Sequence, residues 1–282
     1  MHVATTIAET QSVIAEARKV GHTIGFVPTM GALHEGHGRL VEVAKEQSSF
    51  VVVSIFVNPT QFGPNEDFHR YPRTLEADRV LCEQKGASLI FAPTPAEMYP
   101  DGSRTFVEVT GLQDPLCGPT RPGHFRGVAT VVLKLFNIVL PDLSVFGQKD
   151  AQQARIIQQM VVDLNVPVKV IVAPTVRESD GLAMSSRNRY LSPTHRHNAA
   201  SIYAAMKTIE SKVANGETSV ATLENELRTM LQQITDAKLD YAQILDAMTL
   251  HPIEKLERSA TMAIALFLGT TRLIDNLTLT PP

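Results

Sequence analysis

Cysteine is scarce: Cys82 and Cys117 are the only two in 282 residues, and they stand too far apart to form a close-spaced pair. That spacing argues against a disulfide framework and against a zinc knuckle, and it leaves both as ordinary buried or half-buried thiols. Long apolar runs are also missing. No window of about 18 apolar residues could span a bilayer, and the first thirty residues hold no basic segment followed by an apolar stretch and a small-residue cleavage site. A cytoplasmic protein with no membrane partner is the expectation. Nor is there an excess of basic charge: 26 Lys and Arg face 29 Asp and Glu, a formal net charge of −3. Such a balance does not follow a phosphate backbone, so nucleic acid is not expected as a partner and any anionic ligand must be held by a local site. Internal repeats, low-complexity tracts and Gly/Ser linkers are absent, so a domain boundary has to be read from a change of texture.

What is present is a globular composition, 44% hydrophobic and 20% charged. At this length two domains are natural, and the core needs neither disulfide nor metal. Residues 7–20 have apolar positions at helical spacing, ended by Gly21. The apolar runs Thr23–Thr29 and Phe50–Val57 read as buried parallel strands, joined by a glycine-containing turn and a helix over Arg39–Gln47. Further strands are expected at Ser88–Ala92, Thr105–Thr110, Leu143–Phe146 and Val168–Ala173, and helices at Leu75–Lys85, Val128–Leu140 and Asp150–Asn165. This alternation predicts an α/β doubly wound parallel sheet of Rossmann-like form over residues 1–176. After residue 177 the pattern changes to helices near 193–214 and 219–235, then strands at Ala242–Leu245 and Thr261–Leu268, which predicts a smaller C-terminal α+β domain over 177–282.

Four segments carry chemistry. Met30, Gly31, Ala32, Leu33, His34, Glu35, Gly36 and His37 lie where the first strand of the crossover ends and a helix begins. Ligands gather at that place in an open parallel sheet, and amide N–H groups with the helix dipole favour phosphate there. His34 and His37 are three apart, close enough to share a face and stabilise charge developing on phosphorus. A metal half-site would need an acidic or cysteine cluster nearby, which the sequence does not supply. Asn58 and Gln61 follow the second strand and can bond a hydroxylated carboxylic acid without adding charge, or else serve their own loop. Gly147, Gln148, Lys149 and Asp150 form another strand-to-helix junction, with Lys149 a compact cation and Asp150 a cap. Met184, Ser185, Ser186 and Arg187 offer hydroxyls and a guanidinium on a loop, suited to a polyphosphate and otherwise a solvated turn.

These blocks carry a resemblance. His34-Glu35-Gly36-His37 resembles the His-x-Gly-His signature of the nucleotidylyltransferase superfamily, and the longer string Pro28–His37 resembles the pantothenate synthetase family (pantoate–β-alanine ligases) in particular. Family-like blocks recur in order at Phe56–Gly63, Tyr71–Thr74, Arg121–Val128, Phe146–Asp150 and Asp180–Asn188, covering about residues 20 to 192. The resemblance implies ATP-dependent condensation of pantoate with β-alanine through a pantoyl adenylate, with an adenylyltransferase for another small substrate as the alternative. It implies that His34, His37 and Lys149 are catalytic, that 30–37, 147–150, Val176 and 184–187 contact ATP, and that Gln61, Gln153 and Asn58 hold pantoate. Asp78 resembles a position that helps hold Mg²⁺, but Ala77 replaces an acid found in some relatives and Gln148 stands where a Glu is frequent. Mg²⁺ is therefore expected to ride on the ATP phosphates, with no protein metal site. The family also implies a homodimer, for which the 105–110 segment offers a surface. His124 is read as ordering its loop, and His195 and His197 as structural.

Overall fold

A computed structural model describes residues 1–64 and 66–281. The first compact unit comprises Met1–Gln148 and Gln153–Pro174. Its elements in order are β1 (His2–Ala4), α1 (Ile7–Lys19), β2 (Ile24–Thr29), α2 (Glu35–Gln47), β3 (Phe50–Ile55), α3 (Leu75–Lys85), β4 (Leu89–Phe91), α4 (Pro95–Met98), α5 (His124–Val139), β5 (Leu143–Gly147), α6 (Ala151–Asp163) and β6 (Lys169–Ala173). The six strands form one parallel sheet in the order β1-β4-β3-β2-β5-β6. Strands of an all-parallel sheet are covered on both faces and so read as unbroken apolar runs. Ile24, Phe26, Val27, Val52, Val53, Leu89, Ile90, Phe91 and Val145 are accordingly sealed from solvent. The chain winds outward from β2 through β3 and β4, then returns to place β5 on the other side of β2. That reversal between β2 and β5 is the switch point at which such sheets bind ligands.

The second unit comprises Lys149–Gln152 and the chain from Thr175 onward. It contains α7 (Pro193–Ala214), α8 (Val220–Gln232), β7 (Ala237–Asp246), β8 (Ala260–Leu268) and β9 (Thr271–Leu279). The strands form an antiparallel sheet in the order β7-β8-β9. Ile202, Met206 and Ile209 of α7 and Leu223 and Leu227 of α8 share one apolar core with Ile244, Met262, Ile264 and Leu266 of the sheet. Ser192 and Ser219 cap the two helices by accepting the N–H of His195 and Thr222.

The structure adds strand β1 and helix α4 to the expected elements and starts α5 at His124 rather than Val128, and three further departures bear on the site or the small sheet. Residues 105–110 form no strand; the Val107 N–H donates to Thr130 Oγ1 at 2.9 Å, and Phe106 is half exposed under the Arg126 guanidinium. Their alternation mimics a strand, but the sheet supplies them no neighbour to pair with. Helix α2 begins at Glu35 rather than near Arg39. Its first turn holds Gly36 and Gly38, poor helix formers. Gly38 lies against the stem of Lys85, whose side chain would have to shift to admit a Cβ there. Strand β9 follows β8 through a two-residue turn at Gly269 and Thr270 and completes the small sheet.

Candidate active site

The turn after β2 is shaped by backbone before any ligand is considered. Gly31 has φ +82° and Ala32 φ +51°, two successive left-handed residues that swing the chain away from the sheet and into α2. A non-glycine residue is strained in that conformation, so something must hold it. The holder is Asp78 of α3, only 2% exposed. Its Oδ2 accepts the Ala32 N–H at 3.0 Å, while its Oδ1 accepts the Leu33 N–H at 2.8 Å and the Thr74 hydroxyl at 3.1 Å. Both oxygens of the acid that the resemblance offers to Mg²⁺ thus accept from N–H and O–H donors of the turn and of Thr74. No cluster of three His, Cys, Asp or Glu suited to a metal occurs among the described residues.

His34 and His37 then cap one another. His34, extended at φ −140°, is the N-cap of α2, and its Nδ1 accepts the Gly36 N–H at 3.1 Å. His37 Nδ1 accepts the His34 N–H at 3.3 Å, and the two rings lie 4.2 Å apart. This is the capping-box arrangement with imidazoles in place of hydroxyl and carboxylate. A backbone N–H can only donate, so both rings accept through Nδ1 and carry their proton on Nε2. Two Nε2–H groups thus stand at the positive end of the α2 dipole, a setting that favours negative charge, while the amides of the turn are taken up by Thr29, Asp78 and the imidazoles themselves.

The turn after β3 is held by side chains instead. Asn58 is 1% exposed; its amide nitrogen donates to Gln61 Oε1 at 3.0 Å and to the Gly127 carbonyl at 3.1 Å, and its oxygen accepts the Tyr99 hydroxyl at 3.0 Å. Gln61 Nε2 reaches Met30 Sδ at 3.0 Å, so the turns after β2 and β3 meet. His124 donates from Nδ1 to the Gln61 carbonyl at 2.8 Å and accepts from Arg121 through Nε2 at 3.0 Å. Arg121 in turn forks onto Glu66, with both contacts at 2.7 Å. Burial would raise the Glu66 carboxyl, but the Arg121 guanidinium outweighs it and holds the group below its ordinary range. Gly127 is needed where α5 crosses this turn, since a Cβ there would come within 2.8 Å of Gln61 Cα.

Lys149 lies in a single tight turn, Gln148–Asp150, that leaves β5; Gln148 and Lys149 are half-buried and Asp150 exposed. Gln153 is half-buried in the first turn of α6. In the second unit the segment from Val176 to Arg187 is braced rather than loose. Arg177 forks onto buried Asp275 at 2.6 and 2.9 Å and lies 3.9 Å from the Tyr203 ring centre. The Met184 N–H donates to the Val176 carbonyl at 3.0 Å, and Ser185 Oγ accepts the Arg187 N–H at 3.2 Å, capping the short turn Ser186–Tyr190. Arg196 binds Glu178 at 2.7 Å and Asp180 at 2.6 Å. His195 is half-buried 3.4 Å from Asp236 and His197 is exposed, both in the first turns of α7.

The first unit therefore assembles Met30 to His37 with Asn58 and Gln61, and the second carries Lys149 with Val176 and Met184 to Arg187. Sequence reasoning misses Tyr99 and the loop-holding role of Asp78, which act across gaps of 41 and 46 residues, and it misses Asp275 and Asn276, which lie on a strand it does not predict. Cys82 is buried, and desolvation, helped by the Asp78 charge, pushes its thiol up to about 12, so it is no nucleophile.

A parallel sheet whose switch point carries paired imidazoles on a helix N-terminus defines an α/β enzyme that handles phosphate. Comparison with known proteins narrows this. The family model described as pantoate-beta-alanine ligase matches residues 2–278. Pantothenate synthetase of Moorella thermoacetica is 51% identical over 99% of both chains, and that of Thermotoga petrophila is 52% identical over 98% of this chain and 99% of its own. The crystal structure of pantothenate synthetase from Thermus thermophilus superposes with a TM-score of 0.95 at 45% identity, covering 100% of both chains. That of the Francisella tularensis ligase, complexed with beta-gamma ATP and beta-alanine, gives 0.79 at 37% identity over 98% of this chain and 97% of its own. The chain belongs to the pantoate-beta-alanine ligase family.

Proposed function

We propose that this enzyme condenses pantoate with β-alanine, driven by ATP cleavage and passing through a pantoyl adenylate. The carrying observation is the contact between two turns of different chemistry: a capped histidine pair that suits phosphate, joined through Met30 to an amide corner that suits a hydroxy acid. The pantoate carboxylate, oriented by Gln61 and Gln153, attacks the α-phosphorus of ATP; Asn58, expected from the resemblance to hold pantoate, is buried with its amide fully hydrogen-bonded and acts instead by fixing Gln61. His34 and His37 donate Nε2–H bonds to phosphate oxygens as charge develops, and Lys149, Ser185, Ser186 and Arg187 supply the remaining cationic and hydroxyl contacts. Residues 147–150 and Val176 complete the nucleotide contacts. Pyrophosphate leaves, the β-alanine amine attacks the acyl carbon of the mixed anhydride, and AMP departs. Positioning and electrostatics account for the catalysis, since no protein nucleophile is needed. Mg²⁺ is carried by the ATP phosphates rather than by Asp78. We assign the enzyme to the cytoplasm as a homodimer, on family grounds alone.

The test is incubation with ATP, Mg²⁺ and pantoate, with and without β-alanine, followed by mass spectrometry. Without β-alanine, pantoyl adenylate and pyrophosphate are expected; with it, pantothenate and AMP. Absence of pantothenate rejects the assignment. Pyrophosphate without any acyl product would favour adenylyl transfer to another acceptor. His37→Ala should lower kcat about 10²- to 10³-fold, the usual cost of removing one donor from a transition-state oxyanion site.

A further inference from the structure

Four residues, Lys149–Gln152, leave the first unit's sequence range and pack as part of the second, although the chain on both sides of them belongs to the first. A hydrogen bond within the second unit accounts for part of this: Asn276, 3% exposed on β9, donates from Nδ2 to the Lys149 carbonyl at 2.8 Å. The donor is itself locked. Asn276 pairs with Ala263 in the sheet, and its own N–H donates to Asp275 Oδ1 at 2.8 Å. Asp275, 4% exposed, is the residue that Arg177 grips with two guanidinium nitrogens. Arg177 pairs with Ala183 across the short loop that ends in Met184 and Ser185, and it donates to the Gly181 carbonyl at 3.1 Å. One dipeptide on β9 thus secures two sequence-distant segments, one carrying Lys149 and the other Val176 and the 184–187 turn.

We propose that Asn276 is a positioning residue for Lys149, and that the Asp275–Asn276 pair sets the spacing between the lysine and the 176–187 segment that together receive the triphosphate. The physical need comes from the lysine itself. Its ammonium sits on a flexible four-carbon stem with no directional fork, so the place where its charge can act is set by where its backbone is fixed. A tight turn between a strand and a helix does not fix it alone. A buried amide that donates to the turn's carbonyl does, and catalysis by electrostatics is steep in such displacement, with about 1 Å costing as much as 10²-fold. Asn suits this position better than Asp because its amide nitrogen donates to a carbonyl, which a carboxylate would repel.

This inference rests on the assignment of Lys149 to the ATP phosphates, so Lys149→Ala is measured first and should lower kcat/KM for ATP. Asn276→Asp, nearly isosteric but stripped of the donor, and Asn276→His, which restores a donor through Nδ1–H, are then compared in steady-state kinetics and thermal melting. Leu227→Ala, a core change in α8 remote from the pair, serves as a control for loss of stability. Asn276→Asp should lower kcat/KM for ATP about 10- to 100-fold and leave the KM for pantoate within about twofold, with partial recovery in Asn276→His. Wild-type ATP kinetics in Asn276→Asp, beside an impaired Lys149→Ala, would overturn the inference. So would an equal loss in Leu227→Ala at a matched drop in melting temperature, because stability would then explain everything. An unaffected Lys149→Ala would remove the nucleotide role of the lysine and the inference with it.

Discussion

The turn after β2 and the segment 176–188 are assigned to the same ligand, yet they are built from opposite materials. The first is a set of backbone N–H groups collected by one buried carboxylate and two imidazoles that accept through Nδ1. The second is a lattice of guanidinium and carboxylate groups: Arg177 with Asp275, and Arg196 with Glu178 and Asp180. The first stiffens a short turn by tying down its N–H groups one by one. The second spans longer gaps, 98 residues between Arg177 and Asp275, which only long side chains can bridge from a loop to a strand. The difference makes separable forecasts, because backbone caps fail locally whereas charge pairs fail according to how deeply they are buried.

The largest effect falls on the buried pair. Arg177 and Asp275 have side chains 14% and 4% exposed, and removing one partner leaves the other charge stranded in the interior. Asp275→Ala should cost the second unit about 3–5 kcal/mol, read by chemical denaturation. Replacing both, Arg177→Met with Asp275→Leu, should recover much of that loss, because an apolar pair of similar volume carries no desolvation penalty. A single variant as stable as the parent would show that the lattice holds shape without contributing stability.

Next comes Asp78. Asp78→Asn keeps one carbonyl oxygen but cannot accept both the Ala32 and Leu33 N–H groups as the carboxylate does. One buried donor is left poorly met, at about 1–3 kcal/mol, and the left-handed turn at Gly31 and Ala32 should relax, lowering kcat while the melting temperature falls. Raising the Mg²⁺ concentration should not restore activity. Recovery with Mg²⁺ would return Asp78 to the metal and break the contrast drawn above.

How much of the molecule is legible in its sequence depends on the range of the interaction. Strands β2 and β3 are legible because burial on both faces leaves an unbroken apolar run, and α7 and α8 because their apolar residues recur at helical spacing. His34 and His37 stand out as a pair at a strand-to-helix junction. Their mutual capping does not, since Gly36 and Gly38 make the true helix start look like loop. The 105–110 segment alternates like a strand but has no neighbour, and a neighbour is what a one-dimensional pattern cannot supply. Strand β9 is hidden for the converse reason. It places Asp275 and Asn276 inside, where an apolar alternation would be sought, and their partners Arg177 and Lys149 lie 98 and 127 residues away. The contacts that escape, made by Asp78, Tyr99, Asp275 and Asn276, all reach a distant backbone or side chain rather than run through a local motif.

The smallest effect sits at the solvent edge of the same lattice. Arg196 hydrogen-bonds first to Asp180 and then to Glu178, which lowers the Asp180 carboxyl below its ordinary value and raises the guanidinium. A carboxyl depressed in the folded state contributes stability that is present above its unfolded pKa and fades as pH falls through the folded value. Asp180 should therefore lose its share only in acid, below the usual carboxylate range, and nothing should change between neutral and mildly acidic pH. The Asp180 side chain is 38% exposed and that of Arg196 29%, so solvent screens the pair, and Asp180→Asn should cost no more than about 0.2–1 kcal/mol. The loss should shrink further in molar salt, where screening reaches about 3 Å, while the Asp275→Ala loss should respond much less because that pair is largely shielded from solvent. Equal salt sensitivity in the two variants would mean that Arg177 and Asp275 are solvated in solution, and the division of the lattice into a buried anchor and an exposed fringe would fail.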